Sequence, residues 1–179
     1  MANAVIVTSR CANENVDALN RVAQSATDMQ NGTPLALAWS TTAGSAVFTA
    51  TQAEAGASGV WLAYSPEVNK LVVGKTWGGL DPRNFTNLAN VPFDCFKPQV
   101  GDIILVTKDF FASTKDPATV TGATVVELTA NGFEAKVSAT ASYAGIGFKI
   151  GRTDTMTIAS QNVLTAEGVT AYYLECTQN

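Results

Sequence analysis

Short apolar and β-branched runs recur along the chain, and Gly, Asn, Asp or Pro separate them. Residues 4–8 (A-V-I-V-T), 34–39, 46–50, 60–64 (V-W-L-A-Y), 70–73, 103–107 (I-I-L-V-T), 119–129, 133–137, 146–150, 155–159 and 169–176 each read as a strand. Most such runs have four to eight residues, and this spacing predicts an all-β fold, a sandwich or barrel. Ala130-Asn131-Gly132 lies between two of the runs. Asn-Gly in that position is a strong hairpin signal.

Helical periodicity is scarce. The best candidate is residues 13–26, with Val16, Leu19, Val22 and Ala23 at helical spacing and Asn13 or Asn15 as cap. The stretch 74–99 is aromatic and turn-rich without a period: it holds Trp77, Phe85, Phe93 and Phe96 among Gly78-Gly79, Asp81-Pro82 and Pro92. Long segments of this kind are uncommon and are usually functional or packed on a partner. It divides the chain into an N-terminal β portion (1–75), a connecting loop (76–98) and a C-terminal β portion (99–179), or joins both portions in one compact unit.

Composition narrows the chemistry. The 179 residues are 46% hydrophobic but only 15% charged, and there is no histidine. Ser-His and Cys-His pairs, histidine bases and histidine-containing zinc sites are therefore excluded. Eleven basic and fifteen acidic residues give a net charge of −4, and no two basic residues are adjacent. Neither the phosphate-neutralising stripe of a nucleic-acid binder nor a polybasic membrane patch is present. The N-terminus lacks the basic start and long apolar run of a secretory signal. Cys11, Cys95 and Cys176 are far apart in sequence, which predicts buried free thiols.

Other motifs read as local structure. Gly145-x-Gly147-x-x-x-Gly151 interrupts a strand pattern, so bulges or a tight turn account for it better than a phosphate loop does. Asp94, Asp102, Asp109 and Asp116 occupy turn-like contexts, where aspartate bonds the local backbone. Asn31-Gly32-Thr33 and Asn84-Phe85-Thr86 match the glycosylation sequon and mark turns. No catalytic residue, cofactor or metal is expected.

Several segments carry a family likeness: M-A-N-A-V-I-V-T-S-R at the start, T-D-M-Q-N-G-T-P-L-A-L-A at 27–38, V-W-L-A-Y-S-P-E-V at 60–68, G-L-D-P-R-N-F-T-N at 79–87 and P-F-D-C-F-K-P-Q-V-G-D at 92–102. In order and style they resemble head decoration (auxiliary capsid, or cement) proteins of tailed bacteriophages. The resemblance implies a β-rich structural protein, made in the host cytoplasm and carried on the capsid exterior. Its partners would be the major capsid protein and further copies of itself, not nucleic acid or membrane. On this reading the interface falls on the N-terminal arm (Val5, Ile6, Val7) and the aromatic loop (Trp77, Phe85, Phe93, Phe96), since apolar arms add strands to neighbouring sheets and aromatic residues anchor interfaces. The arm reads equally as the first strand of its own sheet. Two alternatives stay open: another virion component (neck, tail or head fibre), and a carbohydrate-binding β-sandwich using Trp77 and Asp81.

Overall fold

A computed structural model describes residues 3–42, 45–66, 81–142, 144–159 and 166–179. The molecule is all-β, as the hydrophobic pattern predicts. Among the described residues the only helical pieces are 3₁₀ turns of three residues, and no helix is long and apolar enough to cross a membrane.

Eleven strands are described: β1 (Ile6–Arg10), β2 (Asn20–Gln24), β3 (Pro34–Ala38), β4 (Phe48–Gln52), β5 (Trp61–Ala63), β6 (Phe93–Phe96), β7 (Ile103–Thr107), β8 (Val125–Thr129), β9 (Gly132–Lys136), β10 (Gly147–Ala159) and β11 (Ala166–Gln178). They form a six-stranded sheet in the order β1-β7-β11-β10-β8-β9 and a closed barrel in the order β2-β4-β3-β5-β6. All neighbours are antiparallel except β2 and β4. The chain starts in the sheet, builds the barrel and returns to the sheet, so the sequence division at 76–98 is not a boundary between sheets. β1 belongs with the C-terminal strands, and β6 closes the barrel.

Period-two alternation decides which side chains are buried. In β7, Ile104 and Val106 are fully enclosed, whereas Ile103 and Leu105 lie on the outer face, half-buried. Inner residues of β7, β8, β10 and β11 meet Val60, Leu62 and Phe96 of the barrel wall, so barrel and sheet share one core. Phe110 stacks on Phe133 at 4.6 Å, and Phe133 meets Phe148 edge-on. A second, smaller cluster fills the barrel with Ala23, Met29, Leu35, Ala50, Ala63, Phe93 and Cys95.

The helix expected over residues 13–26 is not formed. Its place is taken by the 3₁₀ turns Ala12–Glu14 and Asp17–Leu19, followed by β2. Ala23 is fully buried while its neighbour Val22 is exposed, an alternation of strand type. The Asn13 and Asn20 side chains also bond each other and the backbone, which competes with helix. The runs 146–150 and 155–159 are parts of the single strand β10, which bulges near Gly147 and again between Ile150 and Thr153. The glycine motif at 145–151 therefore accompanies a strand with bulges. Gly145 has φ +69°, and a Cβ there would lie against the Ala57 carbonyl oxygen, so only glycine fits. Residues 119–124 form turns, and β8 begins at Val125. The run 70–73 lies outside the described residues.

Candidate interface surfaces

Most of the residues expected at an interface are used inside the chain. Val5 and Ile6 are buried. Val5 donates its N–H to the Thr107 hydroxyl at 3.0 Å and accepts from the Thr107 N–H at 3.0 Å. Ile6 to Arg10 then pair with β7. The arm is thus the first strand of its own sheet, and an apolar β-branched run serves that role as well as it would an intermolecular one. Phe93 lies inside the barrel and Phe96 in the shared core, because β6 is a wall strand with a packed face on each side. Phe85 is half-buried, and its carbonyl accepts from the Asn3 side chain at 2.6 Å. Val7 alone of the arm is exposed, at 43%, on the outer face of the sheet. There it opens a cross-strand row, Val7–Leu105–Tyr173, that ends under the Arg152 guanidinium, 4.4 Å from the Tyr173 ring. Trp77 lies outside the described residues.

A different aromatic group reaches the surface. β3 continues its alternation past its last paired residue, so Leu35, Leu37 and Trp39 follow one another along one face. Leu35 is buried in the barrel, Leu37 is half-buried, and Trp39 emerges 77% exposed. The Trp39 ring lies 4.6 Å from Phe48, tilted by 37°. Beside it the Arg21 guanidinium carbon sits 5.7 Å from the Phe48 ring centre and 5.5 Å from that of Trp61. The mouth of the barrel is therefore an aromatic patch covered by one cation. The signal for it was present in P-L-A-L-A-W at 34–39, where the alternation carries a tryptophan one step beyond the strand.

Asp102, Asp116 and Asp81 are occupied structurally. Asp102 is buried and accepts from the N–H groups of Ala12 and Gln99, both at 2.8 Å, tying β1's end to the turn before β7. Asp116 accepts from the Ala118 N–H at 2.8 Å and the Tyr172 hydroxyl at 3.3 Å. Asp81 forms a two-toothed pair with Arg83, whose guanidinium also reaches Glu167 at 2.8 Å. The hydrogen bond from Arg83 holds the Asp81 carboxyl below its ordinary value. Its oxygens are thus already engaged, which weakens the Trp77–Asp81 sugar reading. Asn31, in the first sequon, is buried with both its amide nitrogen and its amide oxygen hydrogen-bonded.

All three thiols are free and buried. Burial, reinforced by nearby carboxylates, pushes Cys11 and Cys95 up to about 12 and Cys176 to about 11. At neutral pH they are protonated core residues, not nucleophiles. Among the described residues no three His, Cys, Asp or Glu side chains gather in a metal-binding group.

No family model, no curated protein and no solved structure matches this chain.

Proposed function

We infer that the chain is a structural virion protein that decorates the head of a tailed bacteriophage by binding the major capsid protein from outside. The likeness of its segments to head decoration proteins supports this reading, and Trp39 carries it structurally. A tryptophan left 77% exposed on a rigid barrel end, braced by Phe48 beneath, has the character of an interface anchor. Aromatic anchors of this kind dominate binding energy, and their truncation costs about 2 kcal/mol or more. Many copies on a shell add avidity to each contact.

The test is binding of purified protein to undecorated heads. Wild-type protein is expected to saturate the shell at a copy number comparable with the major shell protein, measured by quantitative mass spectrometry. Trp39→Ala should bind about thirtyfold more weakly, the equivalent of 2 kcal/mol, with an unchanged melting temperature because the ring is outside the core. A handful of copies per particle would move the protein to the neck, tail or a fibre. No binding to heads and absence from particles would overturn the reading.

A further inference from the structure

We propose that the mouth of the barrel takes a carboxylate from its partner: an aspartate or glutamate side chain on the outside of the major capsid protein, received by Arg21 beside Trp39. This rests on the reading of the chain as a decoration protein and names what the contact recognises.

Arg21 stands where the barrel pattern calls for an apolar side chain. It pairs with Cys95 of β6, and Ala23, next on the same face of β2, pairs with Phe93. Ala23, Phe93 and Cys95 all fill the barrel. Residues opposite each other in a ladder share a face, so the Arg21 side chain also points inward. Phe48, opposite Ala23, and Trp61, opposite Leu35, point the same way. The guanidinium therefore closes the end of the barrel, its carbon 5.7 Å from the Phe48 ring centre and 5.5 Å from that of Trp61. Ring faces attract the cation but do not satisfy its N–H groups as an oxygen would.

Most of that donor capacity is unspent. Among the described residues, the guanidinium makes a single hydrogen bond, from Nη1 to the Asn20 carbonyl at 2.8 Å. No carboxylate among them lies within ion-pair distance of it. Asp94 of the neighbouring strand is opposite Val22 and so points to the other face of the β2–β6 pair. Arg21 is half-buried, and a half-buried guanidinium with open N–H groups calls for an acceptor. Its planar fork matches the two oxygens of a carboxylate.

The surroundings favour a carboxylate on a protein over other anions. Among the described residues no second cation sits over these rings, so the mouth compensates one negative charge. A phosphate dianion would bring a second charge against aromatic faces, and the net charge of −4 further opposes a polyanion. A small free acid would leave Trp39, 77% exposed, uncovered. A carboxylate carried on a protein surface lets one contact engage Arg21 and bury Trp39. Tryptophan and arginine are the residue types in which interface binding energy concentrates.

The first test titrates isotope-labelled full-length protein with sodium benzoate, whose ring can pack on Trp39 while its carboxylate meets Arg21. Benzamide is the neutral isostere and phenyl phosphate the dianion. NMR follows the Arg21 side-chain N–H and the Trp39 and Trp61 indole N–H signals. Saturable shifts with benzoate are expected, with benzamide binding at least about tenfold more weakly, equivalent to about 1.4 kcal/mol. The proposal is overturned by equal binding of benzamide or tighter binding of phenyl phosphate. It is also overturned by the absence of saturable benzoate shifts up to about 100 mM, far above a millimolar dissociation constant. The second test uses undecorated heads whose surface carboxylates have been amidated with a carbodiimide and glycinamide. Wild-type protein should bind these at least about tenfold more weakly than untreated heads, and Arg21→Gln should show the same loss on untreated heads. Undiminished binding in either case overturns the proposal, while a loss in Trp39→Ala would still support the decoration reading. If wild-type protein binds no heads at all, the decoration reading and the capsid partner both fall, and saturable benzoate shifts would support the carboxylate site alone.

Discussion

Asn31 is buried and spends both ends of its amide on other parts of the chain. It donates to the Ser65 carbonyl at 2.9 Å, and its oxygen accepts from the Ser65 N–H at 3.0 Å and the Asn87 side chain at 3.1 Å. Three segments that are distant in sequence meet on this one residue, beside Gly32, whose φ of +85° supplies the turn. Replacing Asn31 by Ala leaves a buried backbone N–H, a carbonyl and a side-chain amide without partners. Each such group costs about 1–3 kcal/mol, so a loss of at least about 2 kcal/mol is expected in a urea melt. A loss below about 0.5 kcal/mol, the range of an ordinary surface change, would mean that water replaces the amide without cost. The sequence marked Asn31-Gly32 as a turn, which is correct. It could not mark Asn31 as a hub, because its partners lie 34 and 56 positions away.

The β10–β11 hairpin is the element most exposed to loosening. β10 pairs with β8 only over Gly147–Lys149, and β11 pairs with β7 only over Ala171–Glu175. Beyond these stretches the two strands pair with each other alone. Two-stranded ribbons are marginal in water and need packing on one face. Here Ile158, Val169 and Met156 rest on Val5, and Glu167 reaches Arg83, which Asp81 holds in place. The Asp81 part of this anchor depends on pH. Its carboxyl is held below the ordinary value of about 4 in the folded state. The unfolded chain therefore takes up the proton first as pH falls, and the contribution is complete above about pH 4 and lost as pH drops through the depressed folded value. Asp81→Asn should melt lower than wild type at neutral pH, and the gap should close in acid. A gap that stays constant down to about pH 2, well under the ordinary carboxylate range, would exclude the carboxylate as the source. At this scale the strands were readable and their partners were not. The run 103–107 coincides with β7 to its residue limits, and the β8–β9 hairpin follows from Asn131-Gly132. β6 is hidden in an aromatic stretch because Phe93 and Cys95 face the barrel interior and Phe96 the shared core, so Asp94 is the only polar residue left to mark an alternation. β2 reads as helix in the sequence because Leu19, Val22 and Ala23 fit a period of 3.6 over too few residues to separate it from a period of two.

Barrel and sheet share a core, and this predicts how the whole molecule unfolds. Val60, Leu62 and Phe96 face out of the barrel into the same cluster as Ile104, Val106, Phe148, Tyr172 and Leu174 of the sheet. The chain also passes from sheet to barrel and back, so neither body can open without pulling on strands of the other. Two independent domains would melt separately, whereas one core melts as a unit. Phe96→Ala tests the difference, since Phe96 is almost fully enclosed and meets Tyr64 edge-on. Truncating a buried phenylalanine costs about 3–5 kcal/mol, which for a chain of this size lowers the melting temperature by roughly 6–20 °C. The drop should be the same for tryptophan fluorescence, to which the barrel residues Trp39 and Trp61 contribute, and for amide exchange at Tyr172 and Leu174 in the sheet. If the fluorescence transition moved while exchange in β11 kept its wild-type protection, barrel and sheet would be separate folding units. Coincident movement means that a load applied at the Trp39 end of the barrel is borne by the whole core, as the proposed shell-binding role requires.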